Sequence, residues 1–362
     1  MKVVIRADAS LEMGTGHVMR CLTLADALNE KGADVQFVCR NHLGNLNMYI
    51  QSKGYRVHVL ELLDSISIDA STVRPDEGLH LFHAKWLGVT QQKDAQDCKK
   101  ILNNIQPDWL IVDHYSIDKL WHVELKGLYQ KLMVIDDIAD RYHQCDLLLD
   151  QTYGRTADDY LHLVPGNCQM LLGSQYALLR PEFSKWREYS LNRRVKPQLK
   201  SLLISMGGAD PDNITGQVLQ YVNTCQVPEG IRIVVVMGET APHLNAVKLQ
   251  ASTMIHKTSV MVGVSNMAEV MANADLAIGA AGATTWERCC LGVPSLLWVL
   301  AVNQKTIAKN LEERNIVCLF NDFDQLCISL NVLCENLSQY SKNAADIADG
   351  TGTEKTLREI YG

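Results

Sequence analysis

The chain has 362 residues, of which 47% are hydrophobic and 21% are charged, and its net charge at pH 7 is -7. This length is about twice that of a usual domain, so we expect two domains, each with a core of its own. The negative charge and the pI near 5.9 argue against a surface for nucleic acid or for anionic membranes. A nucleotide ligand stays open, because it needs only a local binding site.

The N-terminus enters a strand pattern at once and shows no signal-peptide segment. The longest apolar run, 295–302, is far too short to span a bilayer. The eleven cysteines are odd in number, irregular in spacing and without a C-x-x-C pair. They predict buried free thiols rather than a disulfide framework. We therefore expect a cytoplasmic protein.

In chain order, the first half alternates short apolar runs with helical spacings. The predicted strands are 3–5, 35–39, 57–60, 109–113, 132–137, 146–150 and 170–173, and the predicted helices are 18–28, 45–53 and 94–105. A strand followed by a turn, a helix and a further strand is a βαβ unit, which implies a parallel sheet. Residues 64–90 are polar and irregular and predict a loop or an insertion.

The second half repeats this scheme after a polar, basic segment at 185–200 that predicts a linker. Its predicted strands are 201–206, 232–238, 274–278 and 295–299, and its predicted helices follow 214, cover 267–272, follow 304 and occupy the tail from 331. We therefore expect two α/β domains, 1–184 and 201–362. Ligands of open α/β sheets bind beyond the carboxyl ends of the strands, so we also expect a cleft where the two halves face each other.

A glycine-rich turn at 279–287 lies between a predicted buried strand and a helix. Glycines let a ligand approach the backbone, and free amides at a helix start attract an anion. Thr284 and Thr285 add hydroxyl donors, and Glu287, about one helical turn further on, could accept both hydroxyls of a ribose. A diphosphate beside a ribose indicates a nucleotide. The alternative is a tightly packed turn with Glu287 on a solvated face.

The first half has candidates for chemistry at two strand ends. His17 follows Gly14 and Gly16 at a helix start, where the helix dipole disfavours the imidazolium form and favours a neutral base. A histidine that only makes local hydrogen bonds is the alternative. Asp113 and Tyr115 end the predicted strand at 109–113, as site residues or as satisfied loop residues.

The second half has weaker candidates. Gly207 and Gly208 resemble a second site for an anion or a sugar. Asn303 and Gln304, at a helix start, could bind sugar hydroxyls, although asparagine is also a preferred helix cap. The acids that end the strand at 132–137 favour solvated loop positions and caps over a metal site. No pair of histidines has metal-ligand spacing, so we expect no metal.

Taken together, these motifs resemble the PseG family, the UDP-2,4-diacetamido-2,4,6-trideoxy-β-L-altropyranose hydrolases of pseudaminic acid biosynthesis. The segments that carry the resemblance are 5–10, 14–22, 112–115, 172–183, 205–211, 279–287 and 303–304. The resemblance extends from residue 1 to about residue 315. It implies the GT-B fold of the glycosyltransferase MurG, with two Rossmann-like parallel-sheet domains and an interdomain cleft.

The resemblance further implies that water attacks the anomeric carbon of the sugar, with inversion, and that UDP leaves. His17 would activate the water, Tyr115 and Asn303 would hold the sugar and the water, and Asp113 would orient His17 or bind the sugar. The N-terminal domain would therefore carry the catalytic histidine and the sugar site. The products would be UDP and free 2,4-diacetamido-2,4,6-trideoxy-L-altrose.

By the same resemblance, the C-terminal domain would hold UDP, with Glu287 on the ribose and the turn at 282–285, including Gly282, on the diphosphate. Neither a metal nor a cofactor is implied. The expected partner is a small-molecule UDP-sugar, without nucleic acid or membrane, and we expect a monomer or a weak oligomer.

Three other functions stay open. A GT-B glycosyltransferase would share the UDP half but would need an acceptor site with an apolar, basic patch, which 60–90 does not show. A hydrolysing UDP-sugar epimerase would keep more carboxylates for elimination. A non-catalytic binder of nucleotide sugars would keep Glu287 and could lose His17, which is present here.

Overall fold

The computed structural model describes residues 1–62, 81–300 and 304–362. These residues form two compact units, one made of 1–178 together with 353–362 and the other made of 179–352. Each unit holds one parallel β-sheet with its own helices. The prediction of two α/β domains with parallel sheets is therefore confirmed.

The strands in chain order are β1 (Lys2–Ala7), β2 (Asp34–Arg40), β3 (Arg56–Leu60), β4 (Trp109–Asp113), β5 (Lys131–Ile135), β6 (Leu147–Asp150), β7 (Gln169–Leu172), β8 (Ser201–Ser205), β9 (Arg232–Met237), β10 (Lys257–Val262), β11 (Leu276–Ala280), β12 (Ser295–Trp298) and β13 (Cys318–Leu319). The helices in chain order are α1 (Gly16–Glu30), α2 (Asn47–Ser52), α3 (Gln91–Ile105), α4 (Lys119–Glu124), α5 (Pro181–Arg193), α6 (Ile214–Val222), α7 (Leu244–Ser252), α8 (Met267–Ala272), α9 (Thr284–Cys290), α10 (Lys305–Glu313), α11 (Phe323–Glu335), α12 (Leu337–Ala345) and α13 (Gly352–Tyr361). In the described part of the chain, no helix is both long enough and apolar enough to cross a membrane.

The sheet of the first unit has the strand order β3-β2-β1-β4-β5-β6-β7, and its neighbouring strands run parallel. Both faces are buried, because alternate residues of β1 enter different apolar clusters. Val3 and Ile5 pack with α1 and α13, whereas Val4 packs with α3 and α4. A parallel sheet that is covered on both faces has strands that are apolar throughout, which explains why its strands stand out in the sequence.

The sheet of the second unit has the strand order β10-β9-β8-β11-β12-β13, again parallel. Its core joins the strands to α6 and α11. In both sheets the strand order reverses beside the first strand of the unit, since β1 lies between β2 and β4 and β8 lies between β9 and β11. The carboxyl ends of the strands at such a switch point are where open α/β sheets bind ligands.

The segment 185–200, which we predicted to be a linker, is helical as far as Arg193, where α5 ends. This helix belongs to the second unit. Three of the basic residues of this segment, Arg187, Arg193 and Arg194, bind backbone carbonyls there. Arg187 donates to the oxygen of Ala345 at 2.8 Å, and the buried Arg194 donates to the oxygen of Met271 at 3.3 Å. At the other end of the chain, α13 packs into the first unit and not into the C-terminal domain.

The prediction that all cysteines are free thiols is wrong at one pair. Cys225 and Cys327 form a disulfide that links the end of α6 to α11, while the other nine cysteines, all within the described residues, are free. The two partners are 102 residues apart in sequence. Only the packing of α6 against α11 brings them together, and residue spacing carries no information about that packing.

A buried ionic cluster joins the first sheet to α3 and α4. The carboxylate of Asp94 accepts hydrogen bonds from Arg6 at 2.7 Å, from Arg40 at 2.6 Å and from the indole nitrogen of Trp121 at 2.9 Å. The carboxylate and both guanidinium groups are inaccessible to solvent. Buried charges of this kind are stable only when they are paired and hydrogen-bonded.

We expect Asp94→Ala to lower the free energy of unfolding by about 3–5 kcal/mol, because it leaves two buried guanidinium groups without this carboxylate. Glu124→Ala is the control. Glu124 ends α4, is exposed and pairs only with the exposed Lys99 among the described residues, so its loss should cost about 1 kcal/mol or less. Urea unfolding measures both. Equal effects of the two substitutions would show that the buried cluster does not support the fold.

Candidate functional site

His17 and Asp113, two residues that we predicted for the site, are in direct contact in the first unit. Asp113 ends β4 and His17 lies in the first turn of α1, which follows the neighbouring strand β1. The ring nitrogen Nδ1 of His17 lies 2.6 Å from Oδ1 of Asp113. A carboxylate at this distance places the proton on Nδ1, so Nε2 of the neutral ring is left as a proton acceptor.

Arg20 fixes the carboxylate that orients His17. Its guanidinium binds Asp113 through two hydrogen bonds of 2.6 and 2.7 Å and also binds Asp137 at 2.5 Å. Burial alone would raise the pKa of Asp113, but Arg20 and His17 hold this pKa well below its usual value. Asp113 is therefore ionised. From the sequence, Arg20, which lies three residues after His17 on one helix face, could be structural or could bind phosphate, and we favoured the structural role.

Tyr115 lies beside His17, as expected for a site residue at the end of β4. The two rings make an edge-on contact with 4.5 Å between their centroids, and the Tyr115 hydroxyl donates to Asp137 at 2.7 Å. Burial and the Asp137 carboxylate raise the pKa of Tyr115, so the residue stays a phenol. Arg20 and Tyr115 thus share Asp137, which the sequence had suggested to be a solvated loop acid.

An aromatic wall, formed by His83, Trp86 and Tyr115, flanks this group. The centroid of His83 lies 4.1 Å from that of Trp86 and 5.5 Å from that of Tyr115, and Trp86 and Tyr115 are stacked at 6.0 Å. Trp86 is only partly buried. Sequence reasoning missed this wall, because it treated 64–90 as an irregular loop. The cluster of aromatic letters around Trp86 could have indicated it.

The acids after β5 differ from the solvated residues that we expected. Asp136 is inaccessible to solvent, bonds to Arg141 at 2.9 Å and accepts a hydrogen bond from the Tyr160 hydroxyl at 2.9 Å. Arg141 lies in the same loop and Tyr160 lies 24 residues further on, and residue spacing does not show that either side chain reaches Asp136. Within the described ranges, no group of three or more histidine, cysteine or acidic side chains is arranged to hold a metal ion.

In the second unit, the turn before α9 lies over the side chain of Arg288. The guanidinium of Arg288 donates to the hydroxyls of Thr284 and Thr285, both at 3.1 Å. A side chain at Gly279 would come within 2.7 Å of this guanidinium, so close packing accounts for that glycine. Gly282 is different, because a Cβ there would meet only the Gln304 side chain, at 3.9 Å. Tight packing therefore explains the glycine at 279 but not the glycine at 282.

Glu287 does not lie on a solvated face, which was the alternative for this residue. Its side chain is 18% exposed, and its nearest ionic neighbour is Arg180, at 3.8 Å. Burial raises the pKa of Glu287 to about 7, against the opposing effect of the charges of Arg180 and Arg288, and Glu182 adds to the rise.

Of the other predicted residues of the second unit, Gly207 and Gly208 lie in the loop after β8, and Gln304 is the N-cap residue of α10. Gly207 has a φ of +98°, and the Gly208 carbonyl accepts a hydrogen bond from the amide of Gly238 at 3.0 Å. The side chain of Gln304 accepts a hydrogen bond from the amide of Leu300 at 3.1 Å. Asn303 lies outside the described residues. In the first unit, Gly14, with a φ of +75°, and Gly16 form the turn that leads into α1.

Solved structures that align over nearly the whole chain define the class of the fold. MurG of Acinetobacter baumannii aligns over 99% of both chains with a TM-score of 0.70 at 14% identity. A putative UDP-N-acetylglucosamine 2-epimerase from Listeria monocytogenes aligns over 99% of this chain and 95% of its own, with a TM-score of 0.60 at 12% identity. The fold is therefore GT-B, as expected. Residues 202–350 also match the glycosyltransferase family 28 C-terminal domain.

The chain belongs to the family of the spore coat polysaccharide biosynthesis protein SpsG of Bacillus subtilis, to which it is 32% identical over 323 residues, 87% of this chain and 82% of SpsG. The UDP-2,4-diacetamido-2,4,6-trideoxy-β-L-altropyranose hydrolase of Campylobacter jejuni is 28% identical over 277 residues, 75% of this chain and 81% of the hydrolase. This similarity confirms the resemblance found in the motifs. The chain spans 54% of the length of another relative, the uncharacterized protein MJ1062 of Methanocaldococcus jannaschii, at 26% identity over 300 residues.

We expect Glu287→Gln to stabilise the protein in a pH-dependent way. The pKa of Glu287 rises from 4.5 to about 7 on folding, so the folded chain holds this proton more tightly and stability is lost as the pH rises through that window. Above pH 7, this shift of the pKa lowers the free energy of unfolding by roughly 3 kcal/mol in full. Glu287→Gln should therefore raise the free energy of unfolding by about 1–3 kcal/mol at pH 8 and by much less at pH 5.

Urea unfolding at the two pH values measures this difference. Glu188→Gln, which changes an exposed carboxyl on α5, is the control and should have the same small effect at both. A Glu287→Gln variant whose stability relative to wild type is the same at both pH values would contradict the raised pKa of Glu287.

Proposed function

We propose that the chain hydrolyses UDP-2,4-diacetamido-2,4,6-trideoxy-β-L-altropyranose, releasing UDP and 2,4-diacetamido-2,4,6-trideoxy-L-altrose in a cytoplasmic pathway to pseudaminic acid. The contact of 2.6 Å between His17 and Asp113 is the observation that carries this proposal. It leaves Nε2 of His17 as an acceptor, and this nitrogen bonds to no described residue. The reaction needs such an acceptor for the proton of the attacking water. The similarity to the Campylobacter jejuni hydrolase supports the choice of substrate.

In this proposal, Nε2 of His17 removes a proton from a water molecule while the water oxygen bonds to the anomeric carbon. The bond between that carbon and the phosphate oxygen breaks, and UDP leaves with the electron pair. The imidazolium that forms is stabilised because its Nδ1–H donates to the Asp113 carboxylate. Arg20 keeps that carboxylate ionised and fixed in position through its two hydrogen bonds.

The aromatic wall is the proposed surface for the sugar. Aromatic side chains offer broad apolar faces with polar edges, and the substrate has a methyl group at carbon 6 and two acetamido methyl groups that need apolar contacts. Tyr115 belongs to this wall and also contacts His17, so a sugar against the wall would lie beside the base. Asn303 and Gln304 stay proposed sugar ligands from the motif resemblance.

UDP is the proposed ligand of the second unit. The hydroxyls of Thr284 and Thr285 and the open position at Gly282 would receive the diphosphate, and Glu287 would accept the ribose hydroxyls. Gly207 and Gly208 would complete this site from the neighbouring strand β8, which pairs with β11. The match of residues 202–350 to the family 28 C-terminal domain supports a nucleotide-sugar role for this unit.

A glycosyltransferase is the second candidate, favoured by the same match to a glycosyltransferase domain. It would share the UDP site and would pass the sugar to an acceptor other than water. The two functions differ in one observable. A hydrolase consumes the UDP-sugar without an added acceptor, whereas a transferase leaves it largely intact.

We expect proton NMR to show UDP and free sugar when the wild-type chain is mixed with the substrate, with neither an acceptor nor a metal ion added. His17→Ala should slow this release by about 10²- to 10⁴-fold, the usual contribution of a general base. His162→Ala, which removes an exposed histidine of the first unit, should leave the rate unchanged. Intact substrate with folded wild-type protein, or undiminished release by His17→Ala, would contradict the proposal.

A further inference from the structure

Arg288 is a buried cation without a carboxylate partner. Its side chain is 1% exposed, and among the described residues no carboxylate oxygen lies within 4.0 Å of its guanidinium nitrogens. Buried arginines of the first unit are different. Arg6, Arg20, Arg40 and Arg141 each pair with an aspartate at 2.5–2.9 Å. A buried charge with no counter-charge is costly. The buried Arg194 of the second unit also lacks a carboxylate, but it donates to four backbone carbonyls, whereas Arg288 donates to one, so the state of Arg288 needs a further physical reason.

The charge of Arg288 is present at neutral pH. Burial lowers the pKa of Arg288, but only to about 10. Glu287 is its neighbour in sequence, yet the carboxyl of Glu287 has Arg180 as its ionic neighbour, at 3.8 Å. The acid does not pair with Arg288, and its own raised pKa leaves it partly protonated near pH 7. Among the described residues, the guanidinium of Arg288 therefore has no ion-pair partner, although the charge of Glu287 acts on it from a greater distance.

The hydrogen bonds of Arg288 lead to the proposed diphosphate site. Nη1 donates to Thr284 Oγ1, while Nη2 donates to Thr285 Oγ1 and to the Ala280 carbonyl at 2.8 Å. Each threonine hydroxyl thus accepts a hydrogen bond from the guanidinium and keeps its own proton, which it donates to no described residue. Hydrogen bonds in a chain polarise one another, so these two hydroxyls are strengthened donors toward a further acceptor.

We propose that Arg288 is the buried counter-charge of the nucleotide diphosphate, acting through the hydroxyls of Thr284 and Thr285. The proposal rests on the proposed function, in which this turn receives UDP. Phosphate oxygens accept the two hydroxyl protons, and the bound anion compensates the guanidinium charge. Arg288 does not touch the ligand and is a positioning residue. Its charge also stabilises the negative charge that grows on the diphosphate as the bond to the sugar breaks.

Calorimetric titration of the full chain with UDP and with uridine tests this assignment. Arg288→Met should weaken the binding of UDP roughly 10- to 100-fold, the range for hydrogen bonds that involve a charged group. Binding of uridine, which has no phosphate, should change by less than about twofold. Arg288→Lys, which keeps a charge but loses the forked geometry, should weaken UDP by an intermediate factor.

Arg194→Met is the matched control. Arg194 is also buried in the second unit, its pKa is also lowered to about 10, and it donates to backbone carbonyls and to the Ser190 hydroxyl. This control should bind UDP and uridine as the wild type does. An Arg288→Met variant that binds UDP like the wild type, or that loses UDP and uridine equally, overturns the proposal.

A second pair of variants covers the case in which Arg288→Met does not fold. Thr284→Val removes one hydroxyl at nearly constant volume and should weaken UDP but not uridine, whereas Thr284→Ser should bind both normally. Unchanged UDP affinity in Thr284→Val overturns the proposal.

A wild-type chain that binds UDP but hydrolyses no UDP-sugar contradicts the proposed function and leaves the role of Arg288 in place. A wild-type chain that binds no UDP overturns the assignment of Arg288.

Discussion

The ion pair between Arg20 and Asp113 is the interaction on which the site of the first unit depends. Asp113 is buried, and an isolated carboxylate there would take up a proton. The two hydrogen bonds from Arg20 keep it ionised, and only an ionised Asp113 holds the proton of His17 on Nδ1. Arg20 reaches Asp137 as well, which binds Tyr115. One guanidinium thus sets the position of the base and of the neighbouring phenol.

The two units differ in whether their buried arginines form ion pairs with carboxylates. The first unit compensates its buried guanidinium groups with aspartates, so its site is ordered before any ligand arrives. The second unit holds Arg288 without an ion pair among the described residues and holds Glu287 with a raised pKa. Both states reduce stability, and both are relieved if a diphosphate and a ribose bind beside them. Residues that cost stability and gain a partner from the ligand are typical of binding sites.

Sequence patterns predicted most of the strands, because buried parallel strands are continuous apolar runs, and the site motifs follow the strand ends. They missed β10, which is only partly buried, and β13, which has two residues. They did not predict partners that are distant in sequence. His17 and Asp113 are 96 residues apart, and their contact follows from the pairing of β1 with β4. Asp137 looked solvated because nothing in its own segment shows Arg20. The basic residues of α5 looked like a linker because their carbonyl partners lie in other helices. The aromatic wall was missed because 64–90 was treated as an irregular loop, and the contact between Trp86 and Tyr115 forms only in the fold.

The central claim is that His17 directs water to the anomeric carbon and not to phosphorus. Hydrolysis in water labelled with ¹⁸O, followed by mass spectrometry of the released UDP, tests it most directly. Oxygens of the UDP phosphates do not exchange with solvent under these conditions, so their label reports which bond was cut. The account predicts UDP without ¹⁸O. UDP that carries one ¹⁸O atom would contradict it, because water would then have attacked the β-phosphorus.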